Sequence, residues 1–295
     1  MDRNQLLKSI ENVKVIKNFS FAKNTTYACG GTAEIAYFPN TVKQATAVYD
    51  YLTLSGKKFV TLGNGSNVLA SDNHFDGAVL STKLLKGVSQ TGENTVFCYA
   101  GTAVAELLKF CVDCGFGGLE HLAGIPATLG GLTLMNGGAR GVYLNENVVN
   151  VMLYNGAIRN FSNKKCNFGY KYSIMRDISC LILGVELRVY AQNSKKVRDN
   201  ILTCLNYRKF HPKGASCGCV FKNIGKVSAG KLIEDCGLKG LTCGGAFVSS
   251  EHANFIINKG GVSADVYNLI NSVKKDVYDK TGIVLEEEVV YIGDF

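Results

Sequence analysis

The sequence predicts a protein of mixed helices and strands with two or three subdomains. The chain has 295 residues, enough to bury a sizeable core in more than one folding unit. Runs with apolar residues at i, i+3, i+4 and i+7 alternate with short strand-like runs. Clusters of glycine, asparagine and serine fall between these elements and are not gathered into one linker.

A hydrophobic content of 46% with 19% charged residues is that of a globular protein. No apolar run approaches the roughly 20 residues of a membrane span. Met1-Asp2-Arg3-Asn4 is followed by no apolar signal core, so a cytosolic protein is expected. The formal net charge of +8 is scattered, with no dense Lys/Arg block, which speaks against a nucleic-acid arm. It reads either as mild attraction for anionic small molecules such as nucleotides or as a generic basic surface. Eleven cysteines in so long a chain are an odd count, and reduced thiols are expected. Cys111 and Cys114 form a C-x-x-C on a helical run with Val104, Leu107 and Leu108. No second C-x-x-C completes a zinc site, so these two are read as structural and no metal is expected.

Taken in order, a short polar helix precedes residues 24–33, where Gly30-Gly31 suggests a turn with close backbone approach. Residues 34–38 read as a strand. Asn40 or Thr41 caps a helix whose apolar face is Val42, Ala45, Val48, Tyr49 and Leu52, and Gly56 stops it. Residues 59–62, 78–80 and 95–100 read as strands, followed by the helix around Leu107. A long apolar strand covers 180–190 and a charged helix 193–208. Ser228 caps a short helix over 229–236 that ends at Gly237. Residues 255–258 read as a strand. Ser263 caps a helix with Val266, Leu269, Ile270, Val273 and Val277 inward, ended by Gly282. Residues 285–289 read as the final strand, in which Glu286 and Glu288 share a face opposite Glu287. A solvated edge is the ordinary explanation of such an acidic run.

Three stretches are candidates for chemistry. The loop Gly63-Asn64-Gly65-Ser66-Asn67 is rich in residues that tolerate left-handed backbone and expose N–H groups, a ready anion nest; an ordinary hairpin turn explains it equally well. It is neither G-x-G-x-x-G nor a P-loop. Residues 225–231 fit P-loop spacing, but Leu232 stands where a magnesium-binding Ser or Thr is needed. A second cluster carries six glycines between Gly124 and Gly141, with Pro126 among them, in apolar flanks. Buried backbone of that kind needs partners for its N–H groups, which a diphosphate or a planar ring system would supply. The third stretch, 214–223, reads Gly-Ala-Ser-Cys-Gly-Cys-Val-Phe-Lys-Asn. Gly218 allows a tight turn, and Cys219 on that turn is either a reactive group or one of two thiols at a buried loop-to-strand junction.

Gly63-Asn64-Gly65-Ser66-Asn67-Val68-Leu69, Gly124-Ile125-Pro126, Gly130-Gly131 and Met135-Asn136 together resemble the FAD-binding domain of the UDP-N-acetylenolpyruvoylglucosamine reductase family. The resemblance continues through Phe168-Gly169-Tyr170-Lys171-Tyr172-Ser173. In the third stretch, residues 216–223 match the family's Ser-Ala-Gly-Ser-x-Phe-Lys-Asn. His252-Ala253-Asn254-Phe255 and Leu285-Glu286-x-Glu288-Val289 follow in family order. It runs from about Asn24 to Gly293. The short stretch 178–216 leaves no room for the extra tyrosine-bearing loop of some members.

The resemblance implies a two-subdomain α+β FAD-binding domain of the PCMH/vanillyl-alcohol-oxidase type, at 1–82 and 83–195. A C-terminal α+β substrate domain at 196–295 follows, its final strand returning to the FAD site. It implies tightly but non-covalently held FAD, contacted by Gly63, Asn64, Gly65, Ser66, Asn67, Gly124, Ile125, Pro126, Thr128, Gly130, Gly131, Asn136 and Gly138. NADPH is the implied hydride donor and UDP-N-acetylglucosamine enolpyruvate the implied substrate, reduced to UDP-N-acetylmuramate in peptidoglycan precursor synthesis. Tyr170, Lys222 and Asn223 are the implied substrate contacts. No nucleic acid and no obligate protein partner are implied.

The family's catalytic serine falls on Cys219, its catalytic glutamate on Glu288 and its usual arginine on Lys171. Cys219 would protonate the carbon adjacent to the hydride acceptor. A protonated Glu288 and the Lys171 charge would stabilise the enolate. A thiol with an ordinary pKa of about 8.5 is mostly protonated at neutral pH and is a better acid than a hydroxyl. Lysine keeps the charge of arginine and loses its planar fork; a solvated strand-end cation is the competing reading of Lys171. Ala127 stands where glycine is common and Arg140 where tyrosine is common. Three rivals stay open: a flavin oxidoreductase of the same fold with another substrate, a homologue impaired in catalysis, and a zinc protein using His211, Cys217, Cys219, Cys236 or Cys243.

Overall fold

The computed structural model describes residues 3–295; the reading of the opening residues begins on Met1 and Asp2, which lie outside them. The chain divides into two compact units. The first holds Ala36–Asn64 and Ala78–Lys209 with the described part of Met1–Ile16, and the second holds Lys17–Ile35, Gly65–Gly77 and Phe210–Phe295. This division differs from boundaries at 82 and 195. Tyr27, Cys29 and Leu69 belong to the hydrophobic core of the C-terminal residues, and Val68–Ala70 pairs in parallel with Val290–Ile292. Long-range pairing of that kind has no local signal in the sequence.

The first unit is built on a five-stranded antiparallel sheet in the order Ile158–Ser162, Val148–Tyr154, Leu181–Arg188, Thr95–Tyr99, Val88–Gly92. Strand alternation sorts its faces. Val96, Cys98, Val151, Val185 and Leu187 face the core with the helices Val104–Cys114 and Leu129–Leu134. Val148–Tyr154 and Ile158–Ser162 were not among the expected elements. The signal is present: a valine-rich run ends at Asn155-Gly156, a hairpin dipeptide, and Gly156 has φ +91°.

Phe59–Leu62 pairs in parallel with Phe75–Ser81, Phe59 opposite Ala78. Helix Val42–Leu54 starts on Thr41, whose side chain accepts from the Gln44 N–H, and buries Ala45, Val48, Tyr49 and Leu52 as expected. Helix Ser194–Tyr207 is capped by Asn193 and ends one residue short of the expected 208.

In the second unit, Thr242–Cys243, Ala246–Val248 and Ile256–Asn258 form a small antiparallel sheet covered by the helix Ser263–Thr281. Helix Ala229–Asp235 is capped by Ser228 as expected. Two expectations need correction. Ser263 is the first residue of its helix and not its cap: the Asp72 carboxylate accepts from the Ser263 and Ala264 N–H groups, each at 2.9 Å. Residues 285–289 form no regular strand; the strand begins at Val290. The Glu288 and Val289 N–H groups both turn to the Val220 carbonyl, at 2.7 and 3.5 Å, and so break the alternation. Glu286 pairs instead with Lys222 and Glu287 with Lys274. Among the described residues no helix is long and apolar enough to cross a membrane.

Candidate active site

The two units each carry part of the expected site. In the first, Gly63 leaves the strand Phe59–Leu62 so close to Thr128 that a Cβ at 63 would lie 2.3 Å from the Thr128 hydroxyl. That hydroxyl is buried and has no partner among the described atoms. Asn64 Nδ2 donates to the Pro126 carbonyl at 2.7 Å, tying the first glycine loop to the second. Gly124 takes φ +78°, and Ile125 is half-buried between it and the exposed Pro126. Gly130 and Gly131 do not form a loop. They lie in the first turn of the helix Leu129–Leu134, where the Gly130 N–H donates to the Ala100 carbonyl at 2.8 Å. Glycine's low helix propensity hid this helix in the sequence.

Asn136 is 2% exposed, with φ +44°. Its amide donates to the Gly169 carbonyl at 2.8 Å and accepts from the Asn145 N–H at 3.0 Å. The side chain therefore braces the turn that presents Lys171. Gly138 begins a short hairpin in which a Cβ would lie 2.1 Å from the Val142 carbonyl oxygen. The hairpin's turn residues Arg140 and Gly141 both have positive φ, at +57° and +82°. The Arg140 guanidinium lies 3.8 Å from the Tyr207 ring centre, which gives this unusual arginine a packing partner.

Lys171 is at the tip of a tight turn closed by Gly169 and Tyr172, with its own φ at +55°. Its carbonyl accepts from Arg176 Nη1 at 2.9 Å. A lysine held in left-handed backbone is uncommon outside constrained sites. The exposed Tyr170 ring contacts Tyr143 edge-on at 5.9 Å. A cleft of about 370 Å³ lies beside the loops, lined by Asn64, Lys83, Lys86, Ala103, Pro126 and Thr128. Burial holds the Lys83 ammonium below its ordinary pKa.

In the second unit, Gly65 takes φ +67° and its carbonyl accepts from the Thr26 N–H at 3.1 Å. Ser66 is half-buried. Asn67 Nδ2 donates to the Glu288 carbonyl at 2.9 Å, and the Asn67 carbonyl accepts from Val290 N–H at 3.0 Å. Asn67 thus fixes the backbone that carries Glu288.

Cys219 follows the bend at Gly218, which has φ +82°. It bridges Phe255 on one side. On the other, the Lys222 N–H donates to the Glu286 carbonyl at 2.8 Å and the Glu288 N–H to Val220. Asn254, which sequence reasoning did not single out for a role, is 2% exposed and clamps this segment. Its Oδ1 accepts from the Phe221 N–H and its Nδ2 donates to the Phe221 carbonyl, both at 2.8 Å. Its carbonyl accepts from Val220 N–H at 2.9 Å. The segment carrying Cys219 is therefore fixed against the one carrying Glu288.

Beneath the bend, the Cys217 thiol donates to the fully buried Tyr27 hydroxyl at 3.4 Å. Burial first, then the charges of Glu288 and Cys219, push Cys217 up to about 12, while the Tyr27 hydrogen bond opposes the rise. The Lys222 ammonium is ion-paired with Glu286, and Asn223 Oδ1 accepts from the Ala229 N–H at 3.0 Å, at the start of a helix. Among the described residues no group of three or more His, Cys, Asp or Glu is arranged to hold a metal ion. The zinc reading therefore has no geometry behind it.

The residues present in the first unit fit a flavin nucleotide. The Gly63 approach, the orphaned Thr128 hydroxyl and the polar cleft beside them are features a diphosphate-bearing ligand suits.

Comparison with known proteins agrees. Residues 33–161 match the family model of an FAD binding domain, and residues 210–292 match that of the UDP-N-acetylenolpyruvoylglucosamine reductase C-terminal domain. The UDP-N-acetylenolpyruvoylglucosamine reductase of Carboxydothermus hydrogenoformans is 33% identical over 99% of this chain and 98% of its own length. That of Limosilactobacillus reuteri is 35% identical over 96% and 95%. The crystal structure of the Thermus caldophilus reductase superposes with a TM-score of 0.81 at 28% identity, covering 96% of this chain and 99% of that one. The fold is the α+β FAD-binding fold with a C-terminal domain. The chain belongs to the UDP-N-acetylenolpyruvoylglucosamine reductase family.

Proposed function

We propose that the protein is an FAD-containing, NADPH-dependent oxidoreductase that reduces UDP-N-acetylglucosamine enolpyruvate to UDP-N-acetylmuramate in peptidoglycan precursor synthesis. The observation that carries this reading is the pairing of residues 220–222, directly after Cys219, with residues 286–288, which include Glu288, in a chain similar to such reductases end to end. Bound FAD supplies the relay of a hydride from NADPH to the enolpyruvyl double bond. Gly63, Asn64, Gly124, Ile125, Pro126, Thr128, Gly130, Gly131 and Gly138 would hold it, with Gly65 and Ser66 from the adjoining loop.

Cys219 gives its thiol proton to the carbon next to the one that receives hydride. Glu288, its backbone fixed by Asn67 and Val220, supports the enolate that precedes this protonation. The Lys171 ammonium, set by its tight turn, adds positive charge for the enolate carboxylate. Lys222 recognises the substrate's anionic part and Tyr170 packs on it. Asn136 and Asn67 serve by bracing the Lys171 turn and the Glu288 backbone, and Asn223 by starting the helix behind Lys222. NADPH and UDP-sugars are cytoplasmic metabolites, so the reading places the enzyme in the cytoplasm.

The test is an anaerobic titration of the purified yellow protein. NADPH bleaches the flavin, and UDP-N-acetylglucosamine enolpyruvate restores its colour in stoichiometric amount. Bleaching without restoration would mean a flavin oxidoreductase with another substrate. A colourless protein that takes up no FAD would refute the flavin reading.

A further inference from the structure

Two departures from the family pattern flank Gly218: cysteine at 217 where the pattern has alanine, and cysteine at 219 where it has serine. We propose that Cys219 is a modification site for hydroperoxides and that Cys217 is its resolving thiol, so that oxidation closes a Cys217–Cys219 disulfide and disables the proton donor. The consequence for activity rests on the role of Cys219 given above; the chemistry of the thiols does not.

Both cysteines are reduced in the structure, Cys217 buried and Cys219 half-buried. Residues two apart have Cα atoms at most about 7 Å apart in full extension. The bend at Gly218, with φ +82°, departs from full extension, and a disulfide bridges Cα atoms roughly 4.4–6.8 Å apart. A Cβ at position 218 would meet nothing within 4 Å, so no neighbouring group crowds the bend. Access orders the reaction: the half-buried thiol meets a small peroxide first. Burial keeps Cys217 protonated and inert to the reagent itself.

The steps balance. Cys219 sulfur attacks one peroxide oxygen, the O–O bond breaks, and sulfenic acid and water form. Cys217 sulfur then attacks the Cys219 sulfur and the S–O bond breaks. The leaving hydroxide takes the Cys217 proton and departs as a second water. Two thiols lose two electrons and the peroxide gains them. Tyr27 assists the second step, because its hydroxyl, which accepts from Cys217, can turn and donate to the sulfur as the proton leaves.

The experiment treats the FAD-loaded protein with hydrogen peroxide, then follows the tryptic peptide 214–222, which contains both thiols, by mass, and flavin reoxidation by substrate in parallel. The expected result is a peptide lighter by two hydrogens, with reoxidation slowed about 10²–10⁴-fold, the value of a positioned general acid. Dithiothreitol reverses both. In Cys217→Ser no disulfide forms, Cys219 proceeds to sulfinic acid, and dithiothreitol restores nothing. A wild-type peptide that keeps both thiols while that of the exposed Cys114 is oxidised would overturn the proposal. So would a Cys217→Ser protein that dithiothreitol rescues fully. A disulfide that forms while reoxidation keeps its rate would support the thiol pair and overturn the catalytic reading of Cys219.

Discussion

Asn254→Ala should cost the second unit about 3–4 kcal/mol. The wild-type amide makes two hydrogen bonds of 2.8 Å to the Phe221 backbone, and Asn254 and Phe221 are each 2% exposed. Removing the amide leaves a buried N–H and a buried C=O without partners, at about 1–3 kcal/mol each. Water entering the vacated volume would relieve part of this. Urea unfolding should show a lowered midpoint with an unchanged slope. Asn254→Asp keeps the acceptor for the Phe221 N–H but sets an oxygen against the Phe221 carbonyl. Its folded-state pKa would be raised. The loss is then complete above that pKa and relieved as pH falls toward the ordinary value of about 3.9. A cost below about 1 kcal/mol for Asn254→Ala would show that this clamp does not hold segment 219–222 in register.

Three further outcomes follow from the geometry. Gly63→Ala places a methyl 2.3 Å from the Thr128 hydroxyl. It should lower FAD retention on gel filtration about tenfold or more while circular dichroism stays unchanged; full retention would remove the loop from the cofactor site. Lys171→Arg should keep or raise turnover because the charge remains and a bidentate fork is added. Lys171→Met should slow substrate reduction, and unchanged kinetics there would make Lys171 a surface cation. The Cys217 thiol, pushed up to about 12 by burial, favours the folded state below its unfolded pKa of about 8.5. That contribution is lost as pH rises from there toward 12, at up to about 1.4 kcal/mol per pH unit. Cys217→Ser should flatten the alkaline limb of stability against pH by one proton; an unaltered slope would mean the thiol is solvated.

What was legible in the sequence was local. Thr41 and Ser228 announce their helices because a cap bonds to an N–H three residues on. The glycines at 63 and 124 signal backbone that a side chain would obstruct or strain. What was hidden depends on partners distant in sequence. Asp72 caps the helix at Ser263 across 191 residues. Asn67 holds the Glu288 carbonyl across 221. Neither side chain differs in type from an ordinary loop residue. Helix Leu129–Leu134 was hidden for the opposite reason: its local composition argues against helix, and packing of Leu129 and Leu132 in the core overrides it. The acidic run at 286–288 has the alternation of a regular strand in sequence, which fails because Val220 receives two consecutive N–H groups.

On the proposed mechanism Cys219 acts on the substrate only after the flavin has been reduced. Stopped-flow absorbance of the flavin in Cys219→Ala resolves the two half-reactions. Reduction by NADPH should stay near the wild-type rate, since no proton from this side chain is needed. Reoxidation by UDP-N-acetylglucosamine enolpyruvate should slow roughly 10²–10⁴-fold, with partial recovery in Cys219→Ser. Equal slowing of both half-reactions, or reoxidation at the wild-type rate, would contradict the assignment.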